Sequence, residues 1–135
     1  MFAAPRPDEA LVIEGYASVF GVADKSGDVV RAGAFARSLR QGPVPMLLQH
    51  RAGSVSGRWS RMREDGHGLF VRGVVEGDGA KALVSRHGLD GLSIGFRPRI
   101  WTPRVEGGRM LADVDLVEVS LVAEPMHSDA RFRVV

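Results

Sequence analysis

The stretch MLADVDLVEVSLV (110–122) decides the fold class, because its apolar residues recur in the pattern of a long, half-buried β-strand. The apolar positions are Leu111, Val114, Leu116, Val117, Val119 and Leu121. Gly107-Gly108 forms a turn before this strand, and Pro125 ends it. The segment on the other side of that turn, 89–100, contains LSIGF and predicts a second strand.

The rest of the chain predicts shorter elements around these two strands. Further strands are expected at 11–20, 29–30, 44–49, 55–59 and 68–76, and helices at 32–39 and 78–87. About six or seven strands and two helices without βαβ alternation indicate an α+β fold, built on an antiparallel sheet or small β-barrel with flanking helices. We expect a flexible leader at 1–9, one domain at 10–126 and a C-terminal tail at 127–135.

The amino-acid composition and the absence of known motifs exclude several classes of functional site. The 135 residues suit one domain, and the absence of cysteine excludes disulfides, thiolate metal sites and a cysteine nucleophile. The sequence has no phosphate loop, dinucleotide fingerprint or metal-ligand motif, so no cofactor or metal is expected.

The net charge is only +2 and aromatic residues do not interleave with the arginines, so a nucleic-acid groove is not expected. Without a signal-peptide pattern or an apolar run of about 20 residues, we expect a soluble protein that stays where it is made.

Four histidines are candidates for a general base, because imidazole takes and returns protons near neutral pH. His50 ends the apolar run PMLLQH (45–50), where it would be fixed on one side and open on the other. His67 lies in a predicted turn, His87 at a predicted helix end, and His127 in a loop after Pro125. His50 is therefore the best candidate, although an ordinary histidine at a strand end fits the pattern too.

Among ten serines, Ser93 is the best candidate for a nucleophile. It lies within GLSIGF (91–96), where alternation places it on the face opposite Leu92 and Ile94. The flanking glycines leave room for an approaching peptide. A small polar residue on the solvent face of a strand would give the same pattern, so both interpretations remain open.

Four segments in order resemble the prohead proteases of tailed phages. They are IEGYASVFGVADKSGDVVRAGAF (13–35), PMLLQHRAGSVSGRW (45–59), GLSIGF (91–96) and LVEVSLVAEP (116–125). The resemblance extends from about residue 11 to residue 130. This family is similar in fold to the herpesvirus assemblins, which implies a compact β-barrel with surrounding helices.

The resemblance also implies a catalytic set. The family's histidine falls on His50, its serine on Ser93, and its acidic residue on Glu118, which would orient the imidazole. His127 is a rival for the third position, because the viral relatives use a second histidine. The resemblance leaves the oxyanion donors open, and the candidates are Arg97 and a backbone amide near Ser93.

The implied function is a serine endopeptidase that cleaves the N-terminal region of the major capsid protein, or a scaffold segment, through an acyl-enzyme. It would act in the host cytoplasm and transiently inside the procapsid, with self-association or a homodimer as a further expectation and no membrane partner. Two alternatives remain: a non-catalytic capsid-assembly domain that keeps the fold, and a basic β-barrel that binds nucleic acid.

Overall fold

A computed structural model describes residues 10–135, so the expected leader at 1–9 lies outside the described residues. The elements in chain order are β1 (Leu11–Val19), β2 (Val29–Val30), α1 (Ala36–Leu39), β3 (Pro45–Leu48), β4 (Arg51–Glu64), β5 (Gly68–Val75), α2 (Asp78–His87), β6 (Gly91–Pro103), β7 (Arg109–Val122) and β8 (Phe132–Val134). The prediction of an α+β fold with two helices is confirmed. β4 begins directly after His50 and is far longer than the predicted strand at 55–59.

The eight strands form one sheet in the order β2-β7-β3-β4-β5-β1-β8, with β6 paired to β7 outside that path. β2 and β3 run parallel to β7, whereas the other pairs are antiparallel. The expected sheet is therefore confirmed rather than the small barrel, with the difference that it is mixed and not wholly antiparallel. The physical reason is that β7 has two edges. Its neighbour in sequence, β6, takes one edge, and the distant strands β2 and β3 share the other.

Irregular spacing along β7 explains which of its side chains enter the core. The buried apolar residues of this strand include Leu111, Val114, Leu116, Val119 and Leu121. The three-residue step from Leu116 to Val119 coincides with a register shift against β6, and Val117 within it is 40% exposed. A β-bulge adds one residue in this way and re-aims the side chains that follow. After the bulge, Val119 and Leu121 face the core, and alternation turns Glu118 and Ser120 to the opposite face.

The second helix follows its predicted bounds, and its ends show why. Gly88 adopts a left-handed conformation with φ 68° at the C-cap, because glycine has no Cβ to oppose it. The N-cap is Gly77, and Asp78 lies in the first turn, where a carboxylate favours the positive end of the helix dipole. Within residues 10–135, neither helix has the length and apolarity that a membrane span requires.

The C-terminal segment expected to be a tail contains the strand β8. Phe132 is buried in the core, and β8 pairs antiparallel with β1, where Gly15 lies opposite Phe132. The approach is close, because a Cβ built on Gly15 would lie 2.7 Å from the Cα atom of Phe132 and would also meet the carbonyl oxygen of Arg131. The short sequence RFRV (131–134) has no pattern that predicts a strand. It forms one because Gly15 allows its backbone to pair closely with β1.

We expect Gly15→Ala to destabilise the fold by about 1–3 kcal/mol, because an added methyl group would force β8 away from β1. Chemical denaturation measures the effect. Gly79→Ala in α2 is the matched control: no atom lies within 4 Å of its Cβ position, and we expect stabilisation of about 0.4–1 kcal/mol. Equal stabilities of the two variants would contradict this account of β8.

Candidate active site

His50 lies in a two-residue hairpin loop between β3 and β4. Leu48 and Arg51 form the last pair of the two strands, so Gln49 and His50 alone make the turn. Both have positive φ, 54° and 61° respectively, the pattern of the tight turns that match strand twist. Glycine or asparagine usually occupies such positions, and the left-handed conformation costs other residues roughly 1–2 kcal/mol each. Strain of this kind concentrates at functional sites.

Hydrogen bonds to β7 and the residue after it hold this loop in place. The Gln49 N–H donates to the carbonyl oxygen of Leu121 at 2.9 Å, and the His50 N–H donates to the Ser120 hydroxyl oxygen at 3.1 Å. The Gln49 side-chain oxygen accepts a bond from the Ala123 N–H at 3.2 Å. The loop is therefore fixed to β7, the strand that carries Glu118.

The Glu118 carboxylate contacts the imidazole of His50. Its Oε1 atom bonds to His50 Nδ1, and its Oε2 atom accepts a hydrogen bond from the Ser120 hydroxyl. The Glu118 side chain is only 8% exposed, whereas that of His50 is 45% exposed. When Nδ1 carries the proton that is donated to the carboxylate, the Nε2 atom of the neutral ring keeps its lone pair. The ring is thus oriented by one nitrogen and free to act as a base with the other.

Ser93 lies on β6, directly opposite Ser120 on β7, and Gly95 lies opposite Glu118. Opposed residues of an antiparallel pair point to the same face, so Ser93 shares a face with Glu118 and Ser120. Ser93 is 7% exposed, and its hydroxyl forms no hydrogen bond within residues 10–135. The hydroxyl does not bond directly to His50 Nε2. Hydrogen bonds between catalytic groups often shorten only when substrate is bound.

His127 occupies a different position from Glu118. Its Nδ1 atom accepts a hydrogen bond from the Asp129 N–H at 3.1 Å, so a neutral ring carries its proton on Nε2. That Nε2 atom is buried and has no partner among the described residues. His127 lines a cleft together with Ser93 and does not bond to His50. Glu118 and His127, the two candidates for the third catalytic residue, thus lie in different places, and only Glu118 contacts the imidazole of His50.

The cleft beside Ser93 has a cavity volume of about 50 Å³. Its lining includes Val22, Ile94, Phe96, Met126 and His127. One wall is the loop after β1. That wall is anchored by an ion pair of 2.7 Å between Asp28 and Arg109, and hydrogen bonding from Arg109 holds the pKa of the Asp28 carboxyl below its usual value. The cleft is therefore small, and Ser93 is one of the residues that line it.

Arg97, one of the two open candidates for an oxyanion donor, has an exposed side chain and no ion-pair partner among the described residues. It lies two positions beyond Gly95 on β6. Across residues 10–135, no three side chains of the metal-ligating types cluster closely enough to hold an ion.

Sequence reasoning missed the role of two residues that shape the site. Ser120 was not singled out, and the glycines beside Ser93 were expected to leave room for a peptide. Ser120 joins the His50 loop to the Glu118 carboxylate, and the small residue at Gly95 makes room for that carboxylate. A Cβ built on Gly95 would lie 2.9 Å from the Cδ atom of Glu118 and would also meet its Oε1 atom. The spacing of Glu118 and Ser120 on one strand face was visible in the sequence, but their hydrogen bonds with a loop 70 positions away were not.

We expect Gly95→Ala to reduce activity by about tenfold or more and to destabilise the fold by about 1–3 kcal/mol, because the methyl group would displace the buried, hydrogen-bonded Glu118 side chain. Hydrolysis rates and denaturation curves measure the two effects. Gly53→Ala on β4, where nothing lies within 4 Å of the new Cβ atom, is the control and should leave the rate unchanged. A fully active Gly95→Ala enzyme would show that the position of the carboxylate is unimportant.

Comparison with known structures shows the same fold in viral proteases. The capsid assembly protease of bacteriophage T4 is similar with a TM-score of 0.66 and 19% identity, over 86% of this chain and 84% of that one. The Kaposi's sarcoma herpesvirus protease, solved with a hexapeptide phosphonate inhibitor, is similar with a TM-score of 0.60 and 15% identity, over 94% of this chain and 65% of that one. The assemblin-like fold is therefore confirmed.

Sequence comparison adds a relative of higher identity. The prohead protease of Enterobacteria phage HK97 is 36% identical over 93 residues, which cover 63% of this chain. The matched region spans 41% of the HK97 protein's length. Residues 3–135, nearly the entire sequence, match the family described as Caudovirus prohead serine protease. The chain belongs to the Caudovirus prohead serine protease family.

Proposed function

We propose that this chain is a serine endopeptidase in which Ser93 is the nucleophile, His50 the general base and Glu118 the residue that orients the base. The observation that carries the proposal is the contact of His50 Nδ1 with the buried Glu118 carboxylate, on the sheet face that also carries Ser93. Membership of a serine protease family supports it. An orienting acid, a base and a hydroxyl are the three groups that acyl transfer requires.

The proposed reaction has two halves. In the first, the Ser93 oxygen bonds to the scissile carbonyl carbon while His50 Nε2 takes the hydroxyl proton. The C–N bond then breaks, the leaving amine takes that proton, and the acyl group remains on Ser93. In the second half, water gives a proton to His50, attacks the ester and releases the acid, and the proton returns to Ser93. Glu118 stabilises the imidazolium that forms in each half.

The proposed substrate is the N-terminal region of a major capsid protein, or a scaffold segment, cleaved within a procapsid in the host cytoplasm. The printed names of the relatives support this class, because one is a prohead protease and another a capsid assembly protease. Self-association of the chain remains part of the proposal. A non-catalytic assembly domain is not favoured, since it would gain nothing from a strained histidine loop held against a buried carboxylate.

A fluorophosphonate probe tests the proposal, because it forms a covalent bond only with an activated serine. We expect one adduct per chain, located on Ser93 by mass spectrometry of tryptic peptides. His50→Ala should abolish the adduct, whereas His67→Ala, which changes a histidine in the turn before β5, should not. An unlabelled wild-type chain, or an adduct on another serine, would contradict the proposal.

A further inference from the structure

We propose that Ser120 is a positioning residue of the site, which sets the geometry of both His50 and Glu118 through one hydroxyl group. This inference rests on the proposed function. Ser120 is completely buried, so it cannot itself meet a substrate. Its role must therefore be carried by its hydrogen bonds to other groups of the site.

The Ser120 hydroxyl both donates and accepts a hydrogen bond. It donates its proton to Glu118 Oε2 and accepts a proton from the backbone N–H of His50 at 3.1 Å. Both oxygens of the Glu118 carboxylate are then occupied, one by the imidazole and the other by Ser120. Hydrogen bonds to an ionised acceptor are stronger than neutral ones, so the hydroxyl restrains the carboxylate firmly.

The His50 loop needs this restraint. Two consecutive residues without the freedom of glycine hold a left-handed conformation there, at φ 54° and 61°. Such a conformation persists only when its surroundings determine it more than once. The N–H of Gln49 is held by the main chain of β7, but the N–H of His50 is held by the Ser120 side chain. A single side-chain atom thus holds the backbone N–H of the residue that carries the base.

The place of Ser120 on β7 links these contacts to the nucleophile. Ser120 lies directly opposite Ser93, and opposed residues of an antiparallel pair have Cβ atoms about 4.5–5.5 Å apart. The nucleophile, the base and the orienting acid are therefore all neighbours of one buried hydroxyl. Loss of that hydroxyl would loosen the base and the acid together without removing the Ser93 hydroxyl.

Two variants with side chains of the same shape separate the effect of the Ser120 hydroxyl from the effect of side-chain size. Ser120→Thr keeps the group and adds a methyl, whereas Ser120→Val adds similar bulk and has no hydroxyl. With a short peptide substrate, we expect kcat of Ser120→Val to be about ten- to a hundredfold below that of Ser120→Thr, with similar KM values. The rate of fluorophosphonate labelling at Ser93 should fall in the same proportion.

Ser38→Ala is the control for a purely structural effect. Ser38 is also buried, and its oxygen accepts a hydrogen bond from the Leu116 N–H of the same strand at 2.9 Å. We expect this variant to melt at a lower temperature while kcat stays unchanged. Equal kcat values for Ser120→Thr and Ser120→Val, in a wild-type background that reacts with the probe, would overturn the role of Ser120. A wild-type chain that does not react would instead reject the proposed function itself.

Discussion

Replacing Ser93 with alanine is expected to lower kcat for peptide hydrolysis by on the order of 10⁶-fold, because no other group could form the acyl-enzyme. The change removes one oxygen atom that has no hydrogen bond within the described residues, so the fold should be retained. Co-expression with the cognate capsid protein, followed by intact-mass measurement, would show an unprocessed capsid protein. Circular dichroism and thermal denaturation would show an unchanged fold.

Ser56→Ala is the matched control for this variant. Ser56 is also buried, but it lies on β4 and bonds weakly to the carbonyl oxygen of Ser54 at 3.4 Å. Capsid protein should be processed normally by the control. If the Ser93→Ala chain processed the capsid protein at the wild-type rate, the nucleophile would have to be sought elsewhere.

The second large effect is expected for Glu118→Gln, which removes the negative charge but keeps the size of the side chain. We expect kcat to fall by about 10⁴-fold, because the neutral amide neither stabilises the imidazolium nor fixes the ring with Nδ1 protonated. His127→Gln should lower kcat far less, because His127 does not contact His50. Steady-state kinetics on one peptide substrate compares the two variants directly.

The comparison between these two variants decides the identity of the third catalytic residue. Both changes leave a polar side chain of similar reach, so a difference in kcat reports the role of the original group. A greater loss in His127→Gln than in Glu118→Gln would reverse the assignment. It would also give a function to the buried Nε2 atom of His127, which has no partner within residues 10–135.

The parts of the fold that depend on local sequence were predictable, and those that depend on distant pairing were not. The hairpin of β6 and β7 follows from two long apolar patterns that flank Gly107-Gly108. The parallel pairing of β3 with β7 joins Met46 to Val119, and no short-range pattern records it. The same is true of β8, whose three residues form a strand only because Gly15 lets them approach β1.

The candidate site also contains residues that were predictable from local sequence and features that were not. His50 and Ser93 stand out by residue type and position, because one ends an apolar run and the other lies between glycines in a strand. The acidic residue came from the family resemblance, since charge pattern alone gives no reason to choose Glu118. The left-handed turn at Gln49 and His50 was not predictable, because neither residue is the glycine, asparagine or aspartate that usually marks such a turn. Tertiary hydrogen bonds to β7 impose that turn.

A crystal structure of the chain with a peptidyl phosphonate bonded to its nucleophile is the most direct test of the proposed catalytic set. We predict a bond from phosphorus to the Ser93 oxygen, His50 Nε2 within about 3 Å of an oxygen on phosphorus, and Nδ1 still against Glu118. A phosphorus atom bonded to any other residue, or an imidazole turned away from the adduct, would contradict it.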